Sequence, residues 1–160
     1  MLYNMTPAEQ QEKAAPMLTL ASEDIRKYAE QHKQEPQPTS ALIADYTLRA
    51  FDLDFSNSPT LVLDAKLPVA KPGGGIFAYF ATVVARLDID GQPIKIFSSV
   101  TDSSHLDVYP RLEIIDAVEA EANGRGLLLF RQGSDVGVDY ALYRVYPYQM
   151  TKVFEGGAGM

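Results

Sequence analysis

The sequence contains no cysteine, and its two histidines are His32 and His105. The absence of cysteine excludes disulfides, thiolate metal sites and cysteine nucleophiles together. Two imidazoles are also too few for a zinc site assembled from several histidines of one chain. The metals that this composition leaves open are hard ions bound by oxygen atoms.

Positive charge and long apolar runs are scarce as well. Lysine and arginine number 14 against 21 aspartates and glutamates, which gives a net charge of −7. A surface of that sign repels phosphate backbones and anionic lipids, so nucleic acid is not an expected partner. The longest uncharged stretch, 72–85, is too short to cross a bilayer, so no membrane span is predicted. Residues 1–13 lack the basic start and apolar run of a signal peptide.

The N-terminal part of the chain has the pattern of a helix. Thr6, Pro7 and Glu9 predict a helix start, because the hydroxyl can cap free amides, proline suits the first helical position and glutamate can reciprocate. Beyond Pro16, apolar residues recur at steps of four, four and three, which is the period of an amphipathic helix. These residues are Met17, Ala21, Ile25 and Tyr28. We expect a helix over 17–33 that lies on the core of the same chain; binding a partner is the alternative.

A polar segment with two prolines, 34–40, separates this helix from the remainder. It predicts an N-terminal helical segment and linker over 1–40 and a β domain over 41–160. From residue 41 short apolar runs alternate with turn residues, which is typical of antiparallel β structure. The predicted strands are 46–51, 60–65, 77–87, 94–99, 111–118, 126–131, 140–146 and 151–154. Asp90 and Gly91 predict a tight hairpin, because both residues tolerate positive φ.

The β region contains two similar halves. Residues 50–63 can be laid over 117–130 so that strand, acidic loop and strand coincide. Further along, Lys95-Ile96-Phe97 matches Lys152-Val153-Phe154, and Arg86 meets Arg144 in the preceding strand. This order predicts two superimposable antiparallel sheets; two hairpins that merely look alike are the alternative.

The two copies are predicted to span about 45–108 and about 109–157. The first is about ten residues longer, because more residues separate its acidic loop from its Lys-Ile-Phe motif. The segment 68–75, which contains three glycines, is expected to hold the excess as an inserted loop.

At its two acidic loops the chain resembles the FG-GAP and VCBS repeat family. Asp52, Asp54 and Ser56 match the first three ligand places of that family's calcium loop in the first copy. In the second copy these places are taken by Glu119, Glu121 and Asn123, with Gly124 at the glycine place. Thr60 and Leu127 stand where the family has a closing acid. We therefore expect calcium to bind weakly or not at all, because ligand count sets affinity.

The resemblance implies that each copy is a four-stranded β-propeller blade. Two blades cannot close a ring, so their faces and edges must be covered in another way. The predicted fold is mainly β, with two four-stranded antiparallel blade-like sheets packed as a sandwich or distorted barrel and an N-terminal helical segment. Such repeats are typically extracytoplasmic, so the resemblance also implies a periplasmic or secreted location.

Two groups of residues, one around His105 and one of tyrosines, bear on function. His105 lies near serines and aspartates in the segment 99–107, which are the ingredients of nucleophilic catalysis. No glycine-flanked nucleophile elbow surrounds any of these serines, so no catalytic residue is predicted. Tyrosines favour interfaces, and strand alternation places Tyr140, Tyr146 and Tyr148 on one face, with Tyr143 on the other. The three that share a face are the candidate interaction residues; packing of some of them in the core is the alternative.

The sequence thus predicts a non-catalytic cell-envelope or secreted β module with an interaction or structural role. Its partner is expected to be another protein or a second copy, and no cofactor is predicted apart from the weak calcium candidates. The alternative is a small hydrolase that uses His105 with a nearby serine and aspartate. A buried His105 bonded to an acid in a cleft favours the hydrolase, and a solvated His105 on a plain loop favours the module.

Overall fold

The computed structural model describes residues 3–32, 43–53, 58–70, 75–119 and 126–157. Within these ranges the chain forms one helix followed by eight strands. They are α1 (Pro7–Gln31), β1 (Asp45–Phe51), β2 (Thr60–Ala70), β3 (Ile76–Leu87), β4 (Pro93–Asp102), β5 (Arg111–Glu119), β6 (Gly126–Gly133), β7 (Val138–Val145) and β8 (Met150–Gly157). Every predicted strand is present. The predicted linker, 34–40, lies outside the described residues.

The strands form two antiparallel sheets with the same order. Sheet A is β1-β2-β3-β4 and sheet B is β5-β6-β7-β8, and neither is closed into a barrel. Because each strand pairs with its neighbour in sequence, both sheets are simple meanders. The predicted fold class, a mainly β protein with two four-stranded sheets and an N-terminal helix, is confirmed.

Strand register identifies the two sheets as copies of one unit. Thr60 pairs with Arg86 in sheet A, and the aligned Leu127 pairs with Arg144 in sheet B. The register of β3 and β4 shifts at Ile96, and that of β7 and β8 shifts at the aligned Val153. A β-bulge inserts an unpaired residue and bends the strand, so its presence at the same place in both sheets is a feature of the repeat. The predicted internal repeat is confirmed.

The two sheets are stacked in the same orientation, so that equivalent side chains point in the same direction. We call the front face the side on which β2 carries Leu61 and Leu63 and β6 carries the aligned Leu128 and Phe130; the opposite side is the back face. In sheet A the back face carries Val62, Val84 and Phe97. Sheet B packs its front face on the back face of sheet A, and these residues form one core. The sandwich therefore stacks front on back, as successive copies of a repeat do.

Helix α1 covers the front face of sheet A. Its four predicted apolar residues are all buried there: Met17, Ala21, Ile25 and Tyr28. The predicted helix start is also confirmed. The Glu9 amide donates to Thr6 Oγ1 at 3.1 Å, and the Thr6 amide donates to Glu9 Oε1.

The segment predicted as a helix over 17–33 is the second part of one longer helix. The helix begins at Pro7, passes through Pro16 and ends at Gln31. Proline lacks the amide hydrogen that would bond one turn back, which normally costs stability inside a helix. Ala14 and Met17, on either side of it, are both buried against sheet A. Tertiary packing thus holds the two halves in one helix.

The expected inserted loop is partly strand. β2 continues to Ala70 and β3 begins at Ile76, with Pro68, Val69 and Ala70 paired to Ala78, Phe77 and Ile76. The extra residues of the first copy therefore lengthen its β2–β3 hairpin. The hairpin predicted at Asp90 and Gly91 joins β3 to β4, and Gly91 has φ of 79°.

Asp64 on the back face of sheet A binds the edge of sheet B. Its carboxylate accepts the Ile114 amide at 2.8 Å, and the Thr82 hydroxyl lies 3.0 Å from the other oxygen. The same hydroxyl lies 2.8 Å from the Leu112 carbonyl oxygen. β5 is an edge strand, so half of its backbone groups lack partners in its own sheet. Asp64 and Thr82 supply partners to two of them.

Removal from water raises the pKa of Asp64 to about 6, against the opposing effect of its hydrogen bonds. An acid whose pKa is raised by folding binds more protons in the folded state, so its contribution to stability falls as pH rises. We expect the free energy of unfolding of the wild type, relative to Asp64→Asn, to fall by up to about 3 kcal/mol between about pH 4 and about pH 7. Urea melts across this range measure it.

The matched control is Asp45→Asn, which removes an exposed carboxylate at the start of β1. This variant keeps Asp64 and its contacts with Ile114 and Thr82, so its pH profile should retain the fall that we assign to Asp64. Parallel pH profiles for the wild type and Asp64→Asn would show that Asp64 titrates as a solvated acid.

Candidate functional site

Both histidines of the chain meet in one polar cluster at the C-terminal end of α1. Its centre is Asp102, the last residue of β4, whose side chain is fully buried. The Tyr28 hydroxyl donates to Asp102 Oδ2 at 2.6 Å, and the Ser104 amide donates to Oδ1 at 2.7 Å. His105 Nδ1 lies 2.8 Å from both carboxylate oxygens. Asp102 therefore joins the helix, the end of β4 and the loop that leads to sheet B.

Aromatic rings close this cluster from the solvent side. The His32 ring stacks on Tyr28 with centroids 4.1 Å apart, and His32 Nδ1 lies 2.9 Å from the Tyr28 carbonyl oxygen. Tyr109 meets both rings edge to face. The His32 and His105 rings are 5.1 Å apart. We call these five residues, Tyr28, His32, Asp102, His105 and Tyr109, the Asp102 cluster.

The surroundings of Tyr28 keep its hydroxyl protonated, so that it can donate a hydrogen bond to Asp102. Burial, followed by its hydrogen bond to Asp102, raises the pKa of the Tyr28 hydroxyl well above its usual range. Burial also raises the pKa of Tyr79, and the nearby Asp102 charge adds to this effect. Tyr28 thus stays protonated at any physiological pH and stabilises the buried carboxylate.

His105 combines features of both predicted situations. It bonds a buried acid, as in a hydrolase, yet 37% of its side chain is exposed at the surface. Ser103, the serine next to Asp102, extends the sheet: its hydroxyl accepts the Ala78 amide at 3.0 Å and its own amide donates to the Ala78 carbonyl. The arrangement supplies an oriented imidazole, while Ser103 is engaged with β3.

The three predicted interaction tyrosines lie at two ends of sheet B. Tyr140 is on β7, whereas β7 ends at Val145, so Tyr146 and Tyr148 lie in the turn before β8. Tyr148 is 82% exposed, and the Arg86 guanidinium lies 5.1 Å from its ring centre. Tyr143 is buried between the sheets, on the side opposite Tyr140, as predicted. Strand alternation does not extend to Tyr146 and Tyr148, because β7 ends at Val145, so the single tyrosine face stays a prediction.

A cavity of about 290 Å³ lies beside this turn, between the two copies. Arg86 and Arg144, which occupy equivalent positions, both line it, together with Ser58, Thr60, Tyr146 and Pro147. Arg86 Nε donates to the Pro147 carbonyl at 2.8 Å, which ties the turn of sheet B to sheet A.

The described residues that flank the two acidic loops lie at the same end of the sheets as this cavity. Asp52 follows β1 and Glu119 ends β5, as the repeat predicts, and the Gly126 amide donates to the Leu53 carbonyl at 2.7 Å between the two loops. Asp54, Ser56, Glu121, Asn123 and Gly124 lie outside the described residues. Among those described, no three acidic or histidine side chains form a group that could hold a metal ion. Calcium binding stays a prediction.

Comparison of the chain with protein-family models, with curated proteins and with solved structures finds no match. In the described part of the chain, no helix has the length and apolar character needed to span a membrane.

Tyr28→Phe tests whether the Asp102 cluster stabilises the fold. The change removes a donor from a buried carboxylate, so we expect the free energy of unfolding to fall by about 1–3 kcal/mol. Chemical denaturation measures the loss. Tyr109→Phe is the control, because it removes a hydroxyl from a partly exposed ring of the same cluster and should change stability far less.

Calcium linkage tests the acidic loops. An ion that binds only the folded state raises stability once its concentration exceeds the dissociation constant. Because Thr60 and Leu127 cannot supply the closing carboxylate, we expect nearly the same melting temperature in millimolar calcium and in excess chelator. A large rise with calcium that Asp52→Ala abolishes would contradict this and establish the first loop as a site.

Proposed function

We propose that the chain is a non-catalytic β module of the cell envelope or exterior, with an interaction or structural role. The observation that carries this proposal is the use of Asp102, whose carboxylate binds α1 through Tyr28, the following loop through Ser104, and His105. A buried acid with this many structural partners accounts for the oriented histidine without any reaction. His105 is part of the contact that holds the helix on sheet A.

The module's interaction end is the turn between β7 and β8. The Tyr148 ring is largely exposed, and the Arg86 guanidinium packs near it. The cavity between the two copies lies next to this turn. A tyrosine ring and an arginine at one site are the residue types that contribute most to protein interfaces. The partner proposed for this end is another protein.

The location rests on the resemblance to FG-GAP and VCBS repeats. It is supported by the shared strand order and bulge position of the two sheets, since blades of a propeller are also four-stranded antiparallel repeats. The proposed compartment is therefore the periplasm or the cell exterior.

The alternative function, a small hydrolase, is favoured by one specific observation. His105 Nδ1 contacts a buried carboxylate, which is how an acid orients a general base in a catalytic triad. Ser103 and Ser104 are the nearest candidate nucleophiles in sequence.

A fluorophosphonate probe separates the two functions, because it labels only serines that a neighbouring base activates. The proposal expects the folded protein to be labelled no more than a heat-denatured sample. Labelling that disappears both in His105→Ala and in Ser103→Ala or Ser104→Ala would establish the hydrolase.

The interaction role is tested by capture from cell-envelope extracts. We expect the wild type to retain a defined protein that Tyr148→Ala loses. Val136→Ala is the control, because Val136 is 90% exposed in a different turn. Equal capture by Tyr148→Ala would remove this end from the proposal.

A further inference from the structure

The back face of sheet B is the repeat-equivalent of an established interface. In sheet A, the back face carries Val62, Val84 and Phe97, and sheet B covers it. At the same positions sheet B carries Leu129, Leu142 and Phe154, joined across β6, β7 and β8 by their pairing. Here Phe154 is 59% exposed. As far as the described residues extend, no element covers this face of the second copy as sheet B covers the first, although Leu129 and Leu142 are half-buried.

The strand pattern of β6 points to the same conclusion. Leu127, Leu128, Leu129 and Phe130 form an unbroken apolar run, as Leu61, Val62 and Leu63 do in β2. Continuous apolar runs are typical of strands that are covered on both faces, whereas strands with one solvated face alternate. In β2 both faces are covered, by α1 and by sheet B. In β6 the front side chains Leu128 and Phe130 are buried. On the back side, Leu127 is buried at the start of the strand, whereas Leu129 is only partly buried.

The ring of Phe154 is positioned across this face. A side chain on Gly156 would meet the Phe154 ring at 3.1 Å, so the glycine leaves the space that the ring occupies two residues along β8. Gly156 pairs with Tyr140, which extends the apolar surface along β7. Tyr140, Leu129, Leu142 and Phe154 form what we call the back patch.

The back face of sheet B carries little net charge. Strand alternation places two acids, Glu113 and Asp116, and three arginines, Arg111, Arg131 and Arg144, on this side of the sheet. Two acids and three arginines leave a net charge of +1 on this face, although the whole chain carries −7. Two copies can therefore approach through it without the repulsion that opposes contact elsewhere on the surface.

We propose that the back patch is a dimer interface between two copies of this chain. The front face of sheet A, which could otherwise accept a back patch head to tail, is occupied by α1. The back patch of one copy can therefore pair with the back patch of a second copy. Such an isologous contact uses the same surface on both subunits, so it gives a dimer and no larger assembly. The resulting stack is helix, sheet A and sheet B, followed by sheet B, sheet A and helix of the second copy. This inference deepens the proposed interaction role by naming a second surface and its partner.

The size of the face sets the expected strength. Four strands about 4.8 Å apart and eight residues long cover about 500 Å² per copy, or about 1,000 Å² in the dimer. This area is at the lower limit for specific interfaces, so the dimer should be reversible and concentration-dependent.

Light scattering and sedimentation equilibrium of the full chain test the proposal. We expect the mass to rise with concentration from 17.6 kDa to twice that value and to stop there. Phe154→Glu places a charge in the back patch at an exposed position and should raise the dimer dissociation constant at least tenfold. Val136→Glu, at an exposed apolar residue outside the patch, should leave it unchanged.

Thermal melts and circular dichroism of both variants establish that they fold. A wild type that stays monomeric up to millimolar concentration overturns the proposal, as does a dimer that Phe154→Glu leaves intact or a series of larger assemblies. These results do not decide the proposed function, because capture through Tyr148 uses the turn beyond β7 and is measured separately.

Discussion

Sheet A is apolar on both faces, and the rest of the structure follows from the need to cover them. Leu61 and Leu63 point to one side of β2 and Val62 to the other, and all three are fully buried. Burying apolar area is the main favourable contribution to folding, so a sheet with this pattern needs a layer on each side. Helix α1 provides one layer and sheet B the other, which makes sheet A the centre of a three-layer stack.

At each of the two interfaces of sheet A an aspartate accepts hydrogen bonds from the layer packed on it; Asp102 is fully buried and Asp64 is half-buried. Asp102 faces α1 and accepts the Tyr28 hydroxyl, while Asp64 faces sheet B and accepts the Ile114 amide. Apolar packing alone permits sliding, because it has no direction. Hydrogen bonds to a buried acid require defined positions, since an unsatisfied buried acceptor costs free energy. The two aspartates therefore fix where the helix and the second sheet sit.

Asp102 also contacts His105, the strongest catalytic candidate of the chain. An aspartate beside a histidine is what a triad requires, but here the same aspartate also holds a helix on a sheet. Aromatic side chains reach solvent elsewhere, at Tyr148 and, in the back patch, at Phe154. In a stack of two sheets, two faces are outermost: the front face of sheet A and the back face of sheet B. Helix α1 covers the front face of sheet A, and the back face of sheet B carries the back patch.

The sequence by itself determined the strands, the two sheets and the repeat. Alternation, turn residues and the Lys-Ile-Phe motif act over a few residues, and local backbone preference suffices to express them. The sequence also identified the buried residues of α1, because the spacing of apolar residues along a helix is visible within a few turns. Only the tertiary structure decided that the helix passes through Pro16, where packing on both sides outweighs one lost hydrogen bond. It alone brought Tyr28, 74 residues away in sequence, to Asp102, and His32 to His105. Such contacts depend on how layers stack, and no local pattern encodes which buried hydroxyl will meet which acid. The front-on-back orientation of the sheets was decided at the same level, since either face of each sheet is apolar enough to be buried.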